Sequence, residues 1–150
     1  MTRNIADIRR DYEGGSLNEE NTPETPESLF DEWLTLALDS EGDDGNAMSL
    51  ATVDSLGRPH ARIVLLKGYD ERGMDFYTNY QSHKGSELAT VPHAALVFWW
   101  PSLSRQIRIE GRVEQVSESE SDQYFSSRPR ESQLGAWVAT QSVEIPDRQW

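Results

Sequence analysis

The chain has 150 residues, with 26 Asp and Glu against 14 Lys and Arg, a formal charge of −12 and no cysteine. That length suits one domain with one sizeable core, and the missing thiols exclude disulfides and Cys-ligated metals. No run of about eighteen apolar residues occurs and Met1–Ile5 opens no apolar leader, so neither a membrane span nor a secretory signal is expected, and the cytoplasm is the expected location.

The acidity is uneven. Residues 1–46 hold 13 acids and 3 arginines, whereas residues 47–150 hold 13 acids and 11 Lys or Arg. This balance argues against general nucleic-acid binding, but a local cluster of cations could still take one phosphorylated small molecule. Residues 1–24 are polar and weakly patterned and read as an acidic mobile tail, with local order around Ile5–Tyr12. Thr25-Pro26-Glu27 is a helix start, with Thr25 as N-cap and Pro26 at the first helical position. Leu29, Phe30, Trp33, Leu34, Ala37 and Leu38 then repeat as one apolar stripe. From Ala47 the period becomes two, predicting a strand largely buried on both faces. Asp54-Ser55-Leu56-Gly57 is a hairpin turn, and residues 59–68 are the return strand. Asp70–Gly73 repeats the turn chemistry before a third strand, Met74–Thr78. Residues 82–91 form a short helix closed by Pro92; Ala94–Trp100 and Arg105–Val116 are the fourth and fifth strands. Ser117-Glu118-Ser119-Glu120 is a capping box opening a helix to Ser126, and Pro129 starts another through Leu134, Trp137 and Val138. Ile145–Arg148 reads as the first turn of a further helix. Antiparallel strands joined by hairpins, with flanking helices, predict a small α+β barrel.

Four stretches carry candidate chemistry. Arg62-Ile63-Val64-Leu65-Leu66-Lys67 sets two cations on opposite faces of one strand, either for two functional places or as charged ends of a core strand. Tyr77-Thr78-Asn79 followed by Ser82-His83-Lys84 gathers backbone N–H groups, a hydroxyl and a lysine at a helix start, which suits a phosphate or serves as ordinary capping. Gln106 shares a strand face with Arg108 and Glu110, as a contact to a flat heterocycle or as a solvated face. Tyr124, Arg128 and Ser132 surround a helix junction at which Pro129 holds Arg128 extended, an arrangement able to cage an oxyanion or to stand as a helix–turn–helix with exposed arginines. His60, His83 and His93 show no metal-binding spacing, and no metal is expected.

Taken in order, Ile8–Tyr12, Arg62–Lys67, Phe76–Asn79, Ser82–Lys84, Arg105-Gln106, and Tyr124 through Gln133-Leu134-Gly135-Ala136-Trp137 into Gln141-Ser142 resemble the pyridoxamine 5′-phosphate oxidase family. The resemblance implies an FMN-binding split β-barrel that assembles as a homodimer and oxidises pyridoxamine or pyridoxine 5′-phosphate to pyridoxal 5′-phosphate, a step of vitamin B6 metabolism with O₂ as acceptor, with no nucleic acid and no membrane as partner. Carried over by position, Arg62, Ile63, Val64, Leu65, Leu66, Lys67, Tyr77, Thr78, His83, Lys84, Gln106, Gln141 and Ser142 contact FMN. Lys67, Tyr124, Arg128 and Ser132 hold the substrate phosphate, and Arg9, Arg10, Asp11 and Tyr12 form a lid over it. The family usually has Arg where this chain has His83. Members also run past residue 150, where the ring-facing Arg and His lie. The expectation is therefore a lid at 1–24 and a split-barrel domain at 25–150 lacking its C-terminal strands, with no catalytic residue assigned and little or no turnover. The competing expectations are a non-catalytic flavin- or pyridoxal-phosphate-binding module and another split-barrel flavin reductase.

Overall fold

The computed structural model describes residues 4–9, 11, 15–138 and 141–144. It divides into two compact units, Met1–Asn46 with Trp99–Ile107, and Ala47–Phe98 with Arg108–Trp150. The expected helix start at Ile145–Arg148 lies outside the described residues, and the N-terminal segment shows two single 3-10 turns, Ile5–Asp7 and Glu19–Asn21.

In the first unit, helix α1 spans Pro26–Glu41. Thr25 caps it as its composition predicts: Oγ1 accepts from the Ser28 N–H at 3.2 Å, and Pro26 occupies the first turn, where its missing N–H costs nothing. Phe30, Leu34 and Ala37 are the buried stripe, while Leu38, expected with them, is exposed. A 3-10 turn, Gly42–Asn46, follows α1. Trp100 is 1% exposed, and its indole N–H donates to the Gly45 carbonyl at 2.9 Å. The Arg105 guanidinium lies over the Trp33 ring, 4.4 Å from its centroid.

The second unit is built on hairpins. Strands β1 (Ala47–Val53) and β2 (Pro59–Leu65) pair antiparallel from Ala47↔Leu65 to Val53↔Pro59. Their turn closes where Gly57, at φ 77°, donates to the Asp54 carbonyl; a side chain is strained in that conformation. Strand β3 (Gly68–Asp70) pairs only with β4 (Gly73–Asp75), and β1 pairs antiparallel with β5 (His93–Trp100). With β6 (Arg105–Arg112), the order of the larger sheet is β2-β1-β5-β6. Helix α2 (His83–Thr90) precedes β5, and α3 (Glu118–Ser127) and α4 (Arg130–Val138) follow β6. Met48, Leu50, Leu66, Leu96 and Phe98 are buried here.

The helices fall where expected, but three strands are shorter. The return strand stops at Leu65 because its register reaches Ala47, the first residue of β1, so residues beyond have no β1 partner. The chain re-pairs instead through the Lys67 N–H, which donates to the Asp75 carbonyl at 2.8 Å. β4 in turn stops at Asp75, the residue paired with the start of β3, leaving Phe76–Thr78 outside any ladder. β6 stops at Arg112; past it the Val113 N–H donates to the Pro92 carbonyl. Among the described residues no helix is long and apolar enough to cross a membrane.

Replacing Trp100 by Phe strands the buried Gly45 carbonyl, which costs about 1–3 kcal/mol, and leaves a cavity where the pyrrole half of the indole packed, which adds to that loss. Urea unfolding of Trp100→Phe should show that loss, with the slope of the transition unchanged.

Candidate functional site

Register decides which side chains meet. Leu50 pairs with Arg62 and Thr52 with His60. Those four residues therefore share one face of the β1–β2 hairpin, because alternate positions on paired strands point the same way. Against that face stands Glu87 of α2, whose side chain is only 3% exposed. A carboxylate so deeply buried needs partners, and it has them. Glu87 Oε2 accepts from the Thr52 hydroxyl at 2.5 Å and from Arg62 Nη2 at 3.3 Å. Oε1 meets His60 Nδ1 in a close ion-pair contact and lies 3.3 Å from His83 Nε2. Burial alone would raise the Glu87 pKa; the Thr52 hydroxyl, the His60 imidazole and the charge of His83 outweigh it and hold the group below the ordinary glutamate value.

Arg62 is placed by three contacts. Its Nη1 donates to the Thr52 hydroxyl at 2.6 Å and to the Leu50 carbonyl at 3.2 Å, and Nη2 reaches Glu87. Lys84, the second residue of α2, donates to Gln141 Oε1 at 3.0 Å. Its pKa is lowered, first by burial and then by the positive charge of Arg62, so the two cations share one electropositive neighbourhood. The start of α2 is tightly built. The buried Ser82 hydroxyl accepts from the Gly85 N–H at 3.3 Å and donates to the Asn79 carbonyl at 2.6 Å. A Cβ on Gly85 would stand 2.3 Å from the Tyr80 carbonyl oxygen, so only glycine fits. Nearby in sequence, the Thr78 hydroxyl is buried with no hydrogen-bond partner.

A second group forms around α3 and α4. Tyr77 and Tyr124 stack face to face, centroids 3.6 Å apart and planes within 5°. Burial, then the charges of Asp75 and Glu120, raises the Tyr77 pKa, keeping the phenol neutral. The capping box is present: Ser117 Oγ accepts from the Glu120 N–H, and the Glu120 carboxylate accepts from the Ser117 N–H. Arg128 is extended at φ −71°, ψ 147°, as the following proline requires, and Gln133 Nε2 donates to its carbonyl at 2.8 Å. Ser132 lies in the first turn of α4.

The residues named from the sequence thus divide. Lys84 meets Gln141 and feels the charge of Arg62, and Tyr77 meets Tyr124. Ile63 and Leu65 are exposed on β2, Val64 is half-buried, Leu66 is buried, and Lys67 is exposed beyond the strand. Ser142 has φ 64°, in the left-handed region. Gln106 is exposed in the first unit, on the face where Arg108 pairs with Glu110 at 2.5 Å. With Arg105, Trp33 and residues 15–17 it lines a cleft of about 190 Å³. Arg9 folds onto its own segment, donating to the Ala6 and Ile8 carbonyls; Asp11 is exposed, and Arg10 and Tyr12 lie outside the described residues. Thr52 and Glu87 were not legible as site residues, and His60 was weighed only for metal spacing. The available signals were the Gly57 turn, which sets Thr52 opposite His60, and the i, i+4 spacing that puts His83 and Glu87 on one face of α2.

Residues 37–150 match the family model for pyridoxamine 5′-phosphate oxidase. The chain belongs to that family. It is 63% identical over 150 residues to a pyridoxine/pyridoxamine 5′-phosphate oxidase of Chromohalobacter salexigens, covering 100% of this chain and 70% of that protein. Among solved structures it is similar to PhzG from Burkholderia lata 383, in complex with tetrahydrophenazine-1-carboxylic acid. That match has a TM-score of 0.82 and 30% identity over 89% of this chain and 67% of the other. A pyridoxamine 5′-phosphate oxidase-related, FMN-binding protein from Nostoc punctiforme shares the fold at a TM-score of 0.51 and 23% identity, over 71% and 56% of the two chains. The split-barrel fold expected from the family motifs is the fold observed.

Gly85→Ala should force the Asn79–Ser82 turn away from α2. The expected cost is about 1–3 kcal/mol of stability, as for other overpacked sites, read as a lower urea midpoint. Gly111→Ala, where a Cβ meets nothing within 4 Å, serves as the control and should change little.

Proposed function

We propose that this chain binds FMN and oxidises pyridoxamine or pyridoxine 5′-phosphate to pyridoxal 5′-phosphate with O₂ as acceptor, working as a homodimer. The observation that carries this reading is the electropositive start of α2. There Lys84 feels the charge of Arg62 and reaches Gln141, and the nearby Thr78 hydroxyl is buried and unpartnered. These donors fit a phosphate monoester: two fixed cations, an unspent hydroxyl and helix N–H groups. Arg62 spends Nη1 and Nη2 on Thr52, Leu50 and Glu87, and its Nε–H is left for a phosphate oxygen. The names of the curated relatives support the substrate class.

In this reading Arg62, Thr78, Lys84, Gln141 and Ser142 hold FMN, which supplies the hydride acceptor when bound. Tyr124, Arg128 and Ser132, with Lys67, hold the substrate phosphate. Arg128 suits that task because its guanidinium stays charged and can meet two phosphate oxygens at once. The stacked Tyr77–Tyr124 pair ties the flavin-side residues to the phosphate-side ones, which fixes the distance between the two bound molecules. Residues 1–24 serve as a lid that excludes water. Ile63 and Leu65 are exposed on edge strand β2, and a two-fold dimer would bury such apolar side chains.

The test is FMN affinity by flavin fluorescence, followed by an assay of pyridoxal 5′-phosphate formation. A charge-assisted hydrogen bond contributes about 1.5–3 kcal/mol, so Lys84→Ala should weaken FMN roughly ten- to a hundred-fold. Arg128→Ala should leave FMN affinity unchanged and weaken the phosphorylated substrate by a similar factor. Lys84→Ala with undiminished FMN affinity would overturn the cofactor assignment.

A further inference from the structure

The Glu87 cluster contains more than a phosphate site requires. His60 Nδ1 or Nε2, a ring nitrogen of His83 and a carboxylate oxygen of Glu87 all lie within 4.8 Å of one another. They come from two elements, β2, paired in register with β1, and α2, whose start is capped by Ser82. Glu87 divides its two oxygens by function. Oε2 is engaged by Thr52 and Arg62, whereas Oε1 faces both imidazoles. Oε1 and His60 Nδ1 are both buried and meet in a close ion-pair contact. Two buried ligand atoms in close contact, with a third 3.3 Å away on His83, make a compact set of electron-pair donors drawn from two elements.

We propose that His60, His83 and Glu87 bind one divalent transition-metal ion of the zinc class. Two imidazoles and one carboxylate suit such ions, and three protein ligands leave a further coordination position open. The Oε1–His83 Nε2 separation of 3.3 Å is what bond lengths of about 2.0–2.1 Å require at a tetrahedral angle, roughly 3.3 Å. His60 must open its contact with Oε1 to a similar distance, and its side chain, 35% exposed, has room to move outward. The open side is toward water, since the His83 side chain is 59% exposed. Thr52 and Arg62 hold the carboxylate from behind, which is the role outer-shell hydrogen bonds play at metal centres. Arg62 and Lys84 oppose a further cation, and they favour an anionic oxygen as the exogenous ligand. This site does not rest on the flavin reading, although His83 is common to both.

The experiment is calorimetric titration of ZnCl₂ into the untagged, FMN-free chain in a non-chelating, phosphate-free buffer, with Co²⁺ absorption as a second probe of coordination. The expected result is one Zn²⁺ per chain and a visible Co²⁺ band typical of four or five ligands. His60→Ala and His83→Ala should each weaken Zn²⁺ at least tenfold, while His93→Ala, exposed on β5, leaves it unchanged. His83→Ala removes a mostly exposed side chain, so its result stands even if His60→Ala folds poorly. Absence of stoichiometric Zn²⁺ binding, or a His83→Ala variant that binds as tightly as the parent, would overturn the proposal. Neither readout involves flavin or turnover, so this failure is distinguishable from failure of the function proposed above.

Discussion

The buried carboxylate of Glu87 is the constraint on which the second unit depends. A charge with 3% of its side chain exposed is tolerable only when each oxygen is answered, and the answering groups come from three elements: Thr52 on β1, His60 and Arg62 on β2, His83 on α2 itself. Satisfying one group thereby fixes the angle of α2 on the hairpin. It also fixes the guanidinium of Arg62, whose charge is felt by Lys84 at the start of α2. The anchor thus converts hairpin register into an electropositive patch.

Two local devices extend that control. Gly85 lets α2 begin against the Tyr80 carbonyl, so His83 and Lys84 emerge at the helix start with little freedom. At the other end, the capping box at Ser117 and the proline after Arg128 fix where α3 begins and ends, and Tyr124 meets Tyr77 flat on. Stacked aromatic pairs contribute about 0.5–1.5 kcal/mol beyond area burial, enough to keep the helix registered on the segment after β4. Both groups of candidate residues lie in the second unit. Gln106 belongs to the first, with Trp33 and Arg105.

Much of this was legible beforehand because it is local chemistry. Thr25-Pro26, Ser117–Glu120 and Arg128-Pro129 set helix ends through hydrogen bonds and sterics spanning four residues or fewer, and each appears where expected. Strand ends were less legible because they depend on partners. Nothing in residues 59–68 says that β1 begins at Ala47 and so ends the ladder at Leu65. The site shows the same contrast. The motif stretches pointed to Arg62, Lys84, Tyr124 and Arg128, whereas Thr52 and Glu87 are ordinary residues until register and helix phase bring them to Arg62. The histidine spacing carried no metal signal because His60 and His83 approach across 23 positions and through two elements, their ring centroids 4.8 Å apart.

The family and fold follow from the matches to known proteins, and the chemistry proposed for this chain hangs on the Glu87 anchor. Glu87→Gln preserves size, removes the charge and turns one acceptor oxygen into an NH₂ donor, leaving Arg62 without its counter-ion. Breaking a fully buried pair costs about 3–5 kcal/mol, and because Arg62 and His60 reach solvent the expected loss here is about 2–4 kcal/mol. Urea unfolding of Glu87→Gln beside the parent chain measures it directly. A midpoint lowered by that amount is the predicted result; a change within about 0.5 kcal/mol, the range of an ordinary surface substitution, would contradict the account.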